Sequence, residues 1–170
     1  MPSHEPHPPA DPLRRAHQRR LGAGLLAAGL AMMGTAAEGV AAVALPAPPA
    51  DAQAVDWDHF GEPTLSAARR ANVAASRALL PAAGLRVDTQ LYRLPGETDW
   101  AQVLGHYRQG AAPAWQPRAG SDRVETGNPA RQQQFSAAAD AGQRFAIVWL
   151  PATGEVRDGL LMVLRTLPAR

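Results

Sequence analysis

Two stretches near the C-terminus decide the fold: RFAIVWL, Arg144 to Leu150, and LLMVLRTL, Leu160 to Leu167. Each is apolar at consecutive positions, so apolar side chains fall on both faces of an extended chain, as they do in strands buried inside a sheet. Pro151, Ala152, Thr153 and Gly154 supply turn chemistry between them. The simplest connection is an antiparallel hairpin, with Ile147, Trp149, Met162 and Leu164 at the centre of the core.

Working back towards the N-terminus, residues 128–142 read in two ways. Asn128-Pro129 is a good helix start, the Arg, Gln and Ala content favours helix, and Gly142 would end it. A strand through Gln133 to Ala137 would instead pair directly with Arg144–Leu150. Helix is the reading taken. Trp115 begins a strand that Pro117, with no N–H to donate, confines to a sheet edge. Thr98 is placed to cap a helix in which Trp100, Val103, Leu104 and Tyr107 recur at i, i+3, i+4 and i+7, one apolar face. Leu85 to Leu94 alternates, with Val87, Thr89 and Leu91 on one side and Arg86, Asp88 and Gln90 on the other. Before it, Thr64 can open a helix running to about Leu80, where Pro81 and Gly84 end it. Its stripe (Leu65, Ala68, Ala75, Leu79) is mostly small and permits close packing on a sheet. The expected fold class is α+β: an antiparallel sheet of about four strands with two or three helices packed on one face. Residues 64–170 form this single domain.

Upstream the composition changes. Residues 38–63 are an Ala/Pro-rich linker with LPAPPA inside it, and proline at that density holds a backbone extended. Within it lies VDWDHF, Val55 to Phe60. Trp57 and Phe60 either fold back over the core or form a short partner-binding segment, and they are the candidate binding residues of the chain. Residues 1–20 are a polar, basic flank, and Leu21 to Ala37 carries no charge. Basic flank, apolar run and small residues at Thr35-Ala36-Ala37 form the pattern of a cleavable export signal, with cleavage expected after Ala37. The alternative is a weak inner-membrane anchor that leaves the domain outside the cytoplasm. Arg19-Arg20 leaves both general and twin-arginine export open. Periplasmic or secreted is the expected location.

Missing residue types exclude chemistry. The chain holds neither cysteine nor lysine; all 17 basic residues are arginine. P-loop, Schiff-base and SxxK chemistry need lysine. Thiol nucleophiles, thiolate metal sites, CxxCH haem attachment and disulfides need cysteine. The 13 arginines from Asp51 onward face 12 carboxylates and are scattered without a basic stripe, which argues against a nucleic-acid partner.

The remaining candidates are sparse. His106 sits at the boundary of its helix's apolar face. His59 with Asp56 and Asp58 is a poorly preorganised metal set. Ser121 stands in AGSDR, without the GxSxG elbow. Ser66, Ser76 and Ser136 fall in expected helices. Glu97 with Asp99, and Glu155 with Asp158, sit at turns and helix starts. No catalytic residue, metal site or cofactor is assigned. The functional expectation is an exported, non-enzymatic envelope module that binds a protein or cell-wall partner. A small periplasmic hydrolase, its site assembled only in the fold, is the alternative. A membrane contact is expected only through the N-terminal segment, if that segment is retained.

Overall fold

A computed structural model of the chain describes residues 42–80, 84–121, 128–153 and 156–169. The export segment with its flank, Pro81 and Glu155 lie outside the described residues. The folded unit is an antiparallel six-stranded sheet with two helices. Its elements in chain order are β1 (Gln53–Val55), α1 (Thr64–Leu79), β2 (Leu85–Leu94), α2 (Trp100–Ala111), β3 (Trp115–Pro117), β4 (Arg131–Ala137), β5 (Arg144–Leu150) and β6 (Gly159–Pro168). The spatial order is β1-β2-β6-β5-β4-β3, so the last strand in sequence lies inside the sheet.

The strand pair read first from the sequence is the centre of the molecule. β5 and β6 pair from Phe145↔Arg165 to Leu150↔Leu160, and Ile147, Trp149, Met162 and Leu164 are all buried. Successive side chains of a strand point to opposite faces, and here both faces are covered. Ala146, Val148 and Leu150 meet Ala68, Ala71, Ala75 and Leu79 of α1. Phe145, Ile147 and Trp149 meet Val103, Tyr107 and Ala111 of α2. The expected single helical face is therefore corrected: one helix lies on each side. Consecutive apolar residues in β5 and β6 require this, because a bare face would leave half of them in water.

Residues 131–137 are strand, not the helix expected over 128–142. Ladder pairing decides it: Gln133 lies opposite Ile147 and Phe135 opposite Phe145, and the Phe135 and Phe145 rings stack with centroids 4.5 Å apart. Gln133 and Gln134 are buried, which helix-favouring composition did not anticipate. With β1 and β4 added, the sheet exceeds the expected four strands.

Residues 42–63 do not trail as a spacer. Gln53–Val55 extends the sheet opposite Arg93–Leu91, and Val43, Leu45 and Ala52 pack against the α2-side core. Hydrogen bonds lace the segment down: Trp115 Nε1–H donates to the Ala44 carbonyl at 2.9 Å, and the Val43 N–H donates to Gln143 Oε1 at 2.8 Å. Among the described residues, no helix is long and apolar enough to cross a membrane.

Candidate partner-binding edge

A sheet of this kind ends in two edge regions, and each exposes backbone groups unless something covers or blunts them. The β3 edge is blunted. β3 is short, contains Pro117, and lies opposite Ala137–Phe135. Beyond it the Arg118 N–H donates to the Gln134 carbonyl at 2.8 Å, and the Gln134 N–H donates to Ser121 Oγ at 3.1 Å. The Ser121 hydroxyl also donates to the Arg118 carbonyl at 2.7 Å and accepts from Gln133 Nε2 at 2.7 Å. Ser121, considered from sequence as a nucleophile, is buried and occupied in closing this edge.

The β2 edge differs. On its inner side β2 pairs with β6 from Leu85↔Pro168 to Leu94↔Gly159. On its outer side, among the described residues, only Leu91, Tyr92 and Arg93 have a neighbour, the short β1. Among the described residues, the outward backbone groups of Leu85–Gln90 have no protein partner. At about 3.4 Å per residue, this open stretch is about 20 Å long.

Its side chains give the edge a chemical sidedness. Val87 and Thr89 lie on the α1 side with Leu91, and Thr89 Oγ1 donates to Asn72 Oδ1 at 3.0 Å, tying the strand to α1. Arg86, Asp88 and Gln90 alternate on the other side. Asp88 is held by Arg165 at 3.2 Å, and Gln90 Oε1 accepts from the Tyr92 hydroxyl at 2.9 Å. Arg86 is exposed and has no acidic partner among the described residues. An incoming strand would meet an apolar row on one side and an unpaired guanidinium on the other, and opposite charges across a strand pair are favourable.

Among the described residues, open clefts surround the turn from β2 to α2. The first, about 430 Å³, is lined by Asp99, Trp100, Arg131 and Trp149 among others. A second, about 330 Å³, runs past Asp51, Glu97, Gln102 and His106. The third, about 300 Å³, holds Asp51, Arg93, Glu97 and Asp158. Several of their polar groups position the backbone. Asp99, rather than the expected Thr98, is the N-cap of α2: its Oδ1 accepts from the Gln102 N–H at 2.8 Å while Gln102 Oε1 accepts from the Asp99 N–H at 2.8 Å. This reciprocal pair satisfies two donors of the first helical turn. His106 Nε2–H donates to the Ala47 carbonyl at 2.8 Å and pins the N-terminal segment. Arg93 reaches Asp158 at 3.5 Å and also hydrogen-bonds Gln53 Oε1.

Both aromatics singled out in the sequence lie against the same side of the sheet. Phe60 is buried in the α1-side core, and Trp57, half-buried, packs against the same cluster. The His59 ring meets Phe60 edge-on at 4.9 Å. Among the described residues, no three His, Asp or Glu side chains converge as a metal set, His59 with Asp56 and Asp58 included. Ser66 and Ser76 lie in α1 as expected, and Ser136 lies in β4. The open edge had no counterpart in the sequence reading: alternation marks a strand but carries no information on which neighbours it finds. Compared with models of protein families, with curated proteins and with solved structures, the chain matches none of them.

Proposed function

We propose that this chain is an exported, non-enzymatic module of the cell envelope that binds a partner protein by taking an extended segment of it as an additional strand along Leu85–Gln90. The observation that supports this reading is the open outer side of β2, in contrast to the β3 edge at the far end of the sheet, which proline and side-chain hydrogen bonds close. Strand addition draws affinity from main-chain hydrogen bonds and specificity from alternate side chains. Here the alternation favours a segment that sets apolar residues beside Val87 and Thr89 and an acid opposite Arg86. Export rests on the basic flank and apolar run of residues 1–37.

Both halves are testable in one strain. A C-terminally tagged chain is expected outside the cytoplasm, shortened to begin near Glu38; full-length protein in the cytoplasm would sink the export reading. In the same cells a photo-crosslinking residue at Arg86 or Gln90 should give a discrete adduct with a protein partner, while the same residue at exposed Gln109 should not. Hydrogen exchange of the isolated adduct should slow at amides within Leu85–Gln90. An adduct without that protection would mean contact without strand addition.

A further inference from the structure

The outer surface of α1, turned away from the sheet, has a chemistry of its own. α1 buries Ala68, Ala71, Ala75 and Leu79. At 3.6 residues per turn, Arg69, Arg70, Val73 and Arg77 fall within an arc of about 100° on the opposite side. Leu80, which follows directly, extends the same surface. All five are exposed. Val73 and Leu80, 47% and 38% exposed, are the large hydrophobic side chains left open to solvent among the described residues. They share this one face with three arginines. α1 contains no acidic residue, and none of Arg69, Arg70 and Arg77 has an ion-pair partner among the described residues. A shallow depression of about 330 Å³ opens between Arg69, Arg70, Val73, Ala74 and Arg77.

A solvated helix face in a near-neutral domain is expected to interleave acids with bases at i and i+4. This one presents guanidinium groups alone, with apolar side chains set among them. Guanidinium forks match phosphate oxygens, and apolar residues flanked by cations suit the boundary between headgroups and acyl chains. We infer that the outward face of α1 docks on an anionic phospholipid surface, with Arg69, Arg70 and Arg77 on the phosphates and Val73 and Leu80 entering the headgroup layer. A soluble polyanion would be served by the arginines alone; Val73 and Leu80 are what favour lipid.

The chain has no cysteine, so Val73→Cys gives a single attachment point for an environment-sensitive dye on the full chain. The dye reports contact at this face even where residues 21–37 themselves hold the chain to a vesicle. With vesicles containing phosphatidylglycerol the dye should shift to the blue, and with phosphatidylcholine alone it should not. The same dye on Gln109→Cys should stay in water in both cases. High salt should reverse the shift, because exposed charges are screened. Replacing Arg69, Arg70 and Arg77 together with glutamine should lower the apparent vesicle affinity of this face roughly a hundredfold, at about fivefold per arginine. These positions are exposed, so the helical circular dichroism should not change. No shift with phosphatidylglycerol, or an equal shift with phosphatidylcholine, would overturn the inference. Polyaspartate that binds the same three arginines as tightly as the vesicles would also overturn it, assigning the face to a soluble acidic partner.

Discussion

The two sides of the sheet are filled in opposite ways. On the α1 side the helix contributes Ala68, Ala71, Ala75 and Leu79, and Phe60 is the buried aromatic of that cluster. On the α2 side the core holds Tyr107, Trp115, Phe135, Phe145 and Trp149, with the Trp115 ring edge-on to Phe145 at 4.9 Å. Alanine buries little area but lets a helix approach the sheet closely; aromatic rings bury much more and hold the helix further away. The wider layer has a perimeter to close, which Val43, Leu45 and Ala52 of the N-terminal segment help to do. One side gains stability from proximity and the other from area, so the same kind of substitution should act differently on each.

The largest effect is expected on the aromatic side. Trp149 is buried, and its ring lies against Gly159, where any Cβ would overlap it. Trp149→Ala should cost about 3–5 kcal/mol in urea unfolding. A loss under 1 kcal/mol would show that the layer collapses around the gap. Next comes the cover of the alanine side: Trp57→Ser with Phe60→Ser should cost about 3 kcal/mol, most of it from Phe60. Unchanged melting would mean that the Trp57–Phe60 turn is dispensable to the fold. Ala75→Leu should cost about 1–3 kcal/mol by pushing α1 off β5 and β6, whereas an unstrained, more stable variant would refute close approach as the basis of that layer. The smallest change is an expected gain. Among the described residues the buried Tyr107 hydroxyl has no hydrogen-bond partner, and burial, with a lesser contribution from Tyr92, holds its pKa far above the usual phenol range. Tyr107→Phe should raise stability by about 1 kcal/mol; a fall would reveal a partner for the hydroxyl.

Much of this was legible in the sequence, for identifiable reasons. β2, β5 and β6 declare themselves by alternation or by continuous apolarity, Pro117 marks an edge, and the Trp100–Tyr107 stripe marks α2. β4 was missed because glutamine has little strand preference of its own; what fixes Gln132–Gln134 is pairing with β5, a tertiary effect. The placement of both helices on one side was avoidable, since two-sided apolarity in β5 and β6 already calls for two covers. The Ala/Pro content of residues 42–52 hid a segment held through its backbone carbonyls and amides, which composition does not display. The open edge was out of reach, because it depends on β1 being shorter than the strand it joins.

The position of β6 also sets an order of events in time. Gly159–Pro168 reaches the solvent after every other strand of this sheet has been synthesised, yet it is the strand through which β1-β2 and β5-β4-β3 are joined. Until it emerges, the nascent polypeptide holds two part-sheets with no shared ladder. Pairing of β6 with residues as far back as Leu85 is a long-range closure, and such closures are slow. The sheet therefore closes in one step, when β6 joins both halves, and a chain stalled before Gly159 would hold them unlinked.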